Sequence, residues 1–160
     1  MGVDAILKEA DVARRSLYQH FGGKDQLVAE VLRTALNEQR YLAALDSGGD
    51  DPRERVLAVF DELDEVVSRP EFRGCRYTAA ELSLSDPTHP AHPVIKEYKN
   101  RLHGMFEREM EALGHPDPAL AATQLVVLID GIMVQAVTRP ESRPALAAKD
   151  MAALLMAQPR

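Results

Sequence analysis

The chain has 160 residues, 46% of them hydrophobic but only 5% aromatic, and a formal net charge of −6. That length allows one substantial core with a small subdomain, and frequent Ala, Leu and Glu with short β-branched runs point to an all-helical fold. No apolar run approaches the roughly 20 residues of a membrane span. No basic-then-apolar leader is visible, which predicts a cytoplasmic protein, and the single cysteine, Cys75, excludes an internal disulfide.

Val3, Ile6, Leu7 and Ala10 recur at i, i+3, i+4 and i+7 and predict a short amphipathic helix. Asp11 follows, and a new apolar register begins with Val12, Leu17 and Phe21. This second stretch carries Arg14, Arg15, His20 and Lys24 with no acid before Asp25. Two short helices about a tight corner, the second bearing the cations, form a helix-turn-helix arrangement. In that geometry the second helix enters the DNA major groove. Gly22-Gly23 stops it, because glycine accepts the positive φ of a helix end. Lys24 opens the next helix, whose free N–H groups favour a phosphate. The acidic total does not oppose a nucleic-acid partner. Residues 1–40 carry six basic and six acidic side chains, and the span 12–24 is locally +3, so the acidity belongs to residues 41–160. The local field governs docking.

Residues 24–44 read as one long helix with Leu27, Val28, Val31, Leu32, Ala35 and Leu36 as its stripe. Asp46 to Pro52 form a loop, and Pro52 suits a helix start. A helix is predicted over about 53–68, with Val56, Val59, Phe60 and Leu63 on one side, ended by Pro70. A less regular helix follows over about 74–84. Asp86 to Pro93 contain three prolines and cannot be helical throughout. The next helix is predicted over 94–113, stopped by Gly114. The helix over about 117–138 is apolar around most of its circumference and must be covered on nearly all sides. A last helix, about 144–157, offers Leu146, Met151, Leu154 and Leu155. A second copy packed against these two helices covers them, so a homodimer through 117–138 and 144–157 is expected.

Other candidate sites are weaker. His89 and His92 lie in the proline-rich loop with no spacing that joins them to Cys75 or His103, so the loop is read as solvated and no metal is assigned. Glu107, Glu109 and Glu111 belong to a charged helix surface, and no phosphate loop or nucleophile–base ordering occurs. No catalytic site and no cofactor are expected. Cys75 reads as a small buried hydrophobe. Asp130 interrupts an apolar helix and needs a partner, which is Arg76 or a similar cation, a polar group of a ligand, or the dimer seam; it is read as structural. Phe60, Tyr77, Tyr98, Phe106 and Met133 are the predicted lining of a small-molecule pocket, apolar with a few polar tips.

Ile6-Leu7-Lys8-Glu9-Ala10-Asp11-Val12, Ser16-Leu17-Tyr18-Gln19-His20-Phe21 and Lys24-Asp25-Gln26-Leu27 together resemble the DNA-binding domain of the tetracycline-repressor (TetR) family of transcriptional regulators. The resemblance implies that Arg14, Arg15, Ser16, Tyr18, Gln19 and His20 face DNA and that Lys24 holds a phosphate. It implies that Leu17, Phe21 and Leu27 are domain core. Asp11 departs from the family's usual turn glycine, a mild cost because aspartate tolerates a left-handed turn. The family's domain also has a further helix before the one near Val3, so the natural protein is expected to be longer. Residues 1–44 are then a helix-turn-helix domain with its connecting helix, and 45–160 a ligand-binding and dimerisation domain. The implied function is a homodimeric, ligand-responsive repressor that reads a palindromic operator and is released by a small-molecule effector. The alternative is a helical interaction or ligand-binding protein that has lost DNA binding.

Overall fold

The computed structural model describes residues 8–9, 14–36, 43–45 and 49–157. Its helices are α1 (Arg14–Phe21), α2 (Lys24–Leu36), α3 (Pro52–Val67), α4 (Arg76–Ser83), α5 (Ala91–Ala112), α6 (Pro118–Thr138) and α7 (Pro144–Leu155), with a 3₁₀ turn at Pro140–Ser142. The fold is all-α, and no strand occurs among the described residues. Of the first predicted helix only Lys8 and Glu9 are described, both helical; the rest lies outside the described residues. The predicted helix 24–44 is seen as α2 and as helical residues 43–45, and the stretch between them is likewise outside.

Local chemistry accounts for the ends. The Asp51 carboxylate accepts the Arg53 N–H at 2.8 Å with Pro52 in the first helical turn, and Asp117 accepts the Leu120 N–H at 3.0 Å ahead of Pro118. Both satisfy donors that a helix start leaves unpaired. At the end of α5, Gly114 takes φ +68 and the His115 N–H reaches back to the Met110 carbonyl at 3.0 Å. α5 starts three residues earlier than predicted. Pro93 is its third residue, where a missing N–H costs nothing because first-turn donors have no helical acceptor.

The chain divides into two compact units, Met1–Glu38 with Tyr77–Glu97 and Gln39–Arg76 with Tyr98–Arg160. In the first, Leu17, Ala29, Leu32 and Leu36 are buried, as are Tyr77, Val94 and Ile95. The Tyr77 hydroxyl donates to the Leu32 carbonyl at 3.0 Å and fastens α4 to α2. In the second, α7 packs on both α3 and α6. Val56, Val59, Phe60 and Leu63 of α3 are fully buried, with Leu102, Phe106 and Met110 of α5 and Leu125 and Ile129 of α6. Each large side chain so placed contributes roughly 1.5–3 kcal/mol. Arg55 donates to the Glu109 carboxylate at 2.7 and 3.0 Å, and Lys149 pairs with Asp61 at 2.6 Å.

α6 corrects one expectation. Its 21 residues, with a mean hydropathy of 1.8 over an 18-residue window, are long and apolar enough to cross a membrane. Its two faces differ, however. Ala121, Ala122, Leu125, Ile129, Ile132 and Met133 are buried, while Leu120, Val127, Val134 and Val137 are exposed. Asp130 on the same helix pairs with Lys99 of α5 at 2.5 and 2.7 Å, an ion pair costly to place in hydrocarbon. α6 is a core helix with a second apolar face. On that face Val127 lines a groove of about 430 Å³ together with Met151 and Leu154 of α7.

Candidate nucleic-acid interface

The sequence Arg-Arg-Ser-Leu-Tyr-Gln-His-Phe of α1 places one inward anchor, Leu17, among polar side chains. Leu17 is 6% exposed, Ser16 is half-buried, and Arg15, Tyr18, Gln19 and His20 are exposed. Arg14 is the first residue of α1, and its side chain lies outside the described set. The buried anchor thus turns the polar residues outward. Gly22 then closes α1 with φ +74, its N–H donating to the Tyr18 carbonyl at 3.0 Å, and Lys24 begins α2, exposed. A β-carbon at Gly22 meets no atom within 4 Å, so the backbone angle and not crowding requires glycine.

Leu27 is half-buried, but Phe21 is 37% exposed, against its expected place in the core. It is the last residue of α1, where the chain turns away at Gly22, so no following helical turn covers its outer side. Its ring instead lies against His20, centroids 6.4 Å apart. Asp25 sits in the first turn of α2, where an acid complements the helix dipole, and its Oδ1 is 3.5 Å from His89 Nε2.

His89 is not in a solvated loop: it is 8% exposed, and its Nδ1 accepts the Ala91 N–H at 3.1 Å, capping α5. Nδ1 as acceptor leaves the proton on Nε2, the nitrogen nearer Asp25. No sequence signal announces this, since the cap depends on the turn in which the His89 N–H meets the Asp86 carbonyl. His92 lies between two acceptors, Nδ1 at 2.9 Å from Glu81 Oε2 and Nε2 at 2.9 Å from the Asp86 carbonyl. Only the imidazolium donates to both. The Glu81 carboxylate foremost, then the Asp86 carbonyl, hold the His92 pKa above its ordinary 6.5. The Thr88 hydroxyl and N–H lower that of Asp86. Among the described residues no group of three His, Cys, Asp or Glu is placed to hold a metal.

The His92 link has a pH consequence. Its pKa is raised on folding, so its contribution is complete below the ordinary value of 6.5 and is lost as pH rises through the folded-state value. The expected result is that the denaturation midpoint falls as pH rises through the folded-state His92 value, more steeply in the parent than in His92→Gln. Imidazole NMR titration should place the His92 midpoint above its ordinary value of 6.5. An ordinary midpoint for His92 would refute the link.

Two family profiles match the chain: "Bacterial regulatory proteins, tetR family" over residues 1–31, and "Tetracyclin repressor-like, C-terminal domain" over residues 58–157. The Bacillus subtilis HTH-type transcriptional regulator LmrA is 31% identical over 158 residues, covering 91% of this chain and 80% of that protein. The chain belongs to the TetR family. It is a DNA-binding transcriptional regulator. A TetR-family regulator from Streptomyces coelicolor superposes with a TM-score of 0.86 at 28% identity, covering 99% of this chain and 86% of that one. The TetR-family regulator CifR, in a cysteine mutant solved with a 26-bp double-strand operator DNA, superposes with a TM-score of 0.82 at 25% identity over 99% of this chain and 86% of that one.

In this TetR-family chain the five predicted pocket residues are all buried. Phe60 and Phe106 are fully enclosed, Tyr98 and Met133 nearly so in the second unit, and Tyr77 belongs to the first. Asp130 has a partner, as expected, but it is Lys99 in place of Arg76, and both side chains are partly exposed. A pair with that exposure contributes at most about 1 kcal/mol. Cys75 is half-buried.

Proposed function

We propose that this TetR-family protein is a cytoplasmic, homodimeric repressor that leaves palindromic operator DNA when a small molecule binds it. The observation that carries the reading is α1, whose buried Leu17 aims an acid-free polar face outward, followed by Lys24 at the start of α2. In this reading Arg14, Arg15, Ser16, Tyr18, Gln19 and His20 meet base edges and phosphates, and Lys24 holds a phosphate beside the α2 N-terminus. Residues 1–44 form the DNA-reading part and residues 45–160 the ligand-binding and dimerising part. The operator complex of CifR supports the DNA partner.

Dimerisation uses Pro118–Thr138 and Pro144–Leu155, and the exposed Val127, Val134, Met151 and Leu154 support that choice. Two copies bring two α1 helices to half-sites about one turn, roughly 34 Å, apart. An effector acts by binding one of two conformations more tightly, which shifts the population away from the operator-bound form. If Phe60, Tyr98, Phe106 and Met133 line its pocket, their side chains must part to admit it. Selection of bound fragments from the source genome tests the reading. The expected outcome is enrichment of a short palindrome whose affinity falls steeply with salt. Sequence-indifferent binding, or none, would refute it.

A further inference from the structure

The second unit holds an open cleft of about 590 Å³ between the end of α3, the loop after it, the end of α6 and the start of α7. That volume suits a small organic ligand. Val67, Phe72 and Val137 supply apolar wall, and the charged lining is three guanidiniums, Arg69, Arg73 and Arg143, against one carboxylate, Asp64. The arginines have different duties. Arg73 is occupied by the loop itself, its Nη1 donating to the carbonyls of Pro70 and Phe72 at 2.7 Å each. The side chains of Arg69 and Arg143 are exposed and have no hydrogen bond or ion pair among the described residues. Nor is the Arg69 side chain needed to finish α3, because the backbone N–H groups of Ser68 and Arg69 already take its last carbonyls. Arg143 stands at φ 48, ψ 58, the only non-glycine with positive φ among the described residues. Such strain persists where the surrounding structure holds it and points to a use for the side chain.

We propose that this cleft binds an amphipathic organic monoanion, a carboxylate or sulfonate held by Arg69 and Arg143 with its apolar body on Val67, Phe72 and Val137. Guanidinium forks pair two N–H groups with two oxygens of one oxyanion, and Asp64 penalises a second negative charge on the ligand. The cleft names a class of effector for the function above and rests on that reading only for its consequence at the operator. Binding is therefore read without DNA.

The full chain is titrated calorimetrically with 2-naphthoate, with decanoate and with neutral 2-naphthamide. Saturable binding of an anion at one per chain is expected, with the amide at least about tenfold weaker. Arg69→Gln and Arg143→Gly should each weaken the anion about tenfold, and Asp64→Asn should strengthen it. Arg143→Gly keeps the fold, since glycine is at ease at that φ, and its melting temperature checks this. Failure of both anions to saturate, equal affinity for the amide, or unchanged affinity in both arginine variants overturns the proposal. An anion that binds yet leaves operator affinity unaltered supports the cleft and counts against ligand-responsive repression.

Discussion

Replacing Arg15 and Lys24 together by alanine is expected to cost this protein about ten- to a hundredfold in operator affinity at moderate salt, without a change in fold. Both side chains are exposed, and neither makes a hydrogen bond or ion pair among the described residues. Surface substitutions of this kind ordinarily shift stability by less than about 0.5 kcal/mol. At the operator the two residues part company. Lys24 is a point charge at the start of α2, suited to a phosphate, so Lys24→Ala should weaken all sites evenly and reduce the salt slope by about 1. Arg15 lies on the exposed side of α1 and carries a fork that matches guanine or a phosphate. If it reads a base, Arg15→Ala relaxes preference at one operator position; if it holds a phosphate, the loss is uniform. Fluorescence anisotropy at several salt concentrations on the selected operator and its point variants makes the measurement. Undiminished affinity and an unchanged slope in the double variant would remove α1 from the DNA-facing role.

The pair Val127→Asp and Leu154→Asp should convert the proposed dimer to monomers. Val127 is 63% exposed and Leu154 is 68% exposed in the isolated chain, so both new carboxylates are hydrated in the monomer and the fold survives. In a two-fold interface each substitution occurs twice, and every unpaired carboxylate taken from water costs several kcal/mol. Each 1.4 kcal/mol is a factor of ten in the dimer constant, which places dissociation well above micromolar. Light scattering on the parent and the variant reads the mass directly. Operator affinity should fall with it, because one chain engages one half-site. A variant that stays dimeric would move the interface away from the α6–α7 groove.

Helix positions were legible because they are set locally. Asp51-Pro52 provides a capping carboxylate and a first-turn proline within consecutive residues, and Gly22 and Gly114 supply the left-handed exits that other residues resist. The same holds for the polar face of α1, whose register follows from Leu17 alone, and for the apolar excess of α6, legible from its composition. Family membership followed from these local patterns too, since the Leu-Tyr-x-x-Phe-x-x-Lys spacing is short.

Tertiary structure decided everything that depends on residues distant in the chain. His89 is a buried cap beside Asp25, and not a loop histidine, because packing brings the start of α2 to it. Lys99, and not Arg76, meets Asp130 because helical rotation sets which cation faces the carboxylate. Phe21 misses the core because Gly22 turns the chain beside it. Arg69 and Arg143 share a cleft because α7 packs against α3, a proximity that no periodicity encodes. Backbone propensity and hydrophobic period act over a few residues, whereas the partner of a polar group is chosen by whatever packing places within about 3 Å of it.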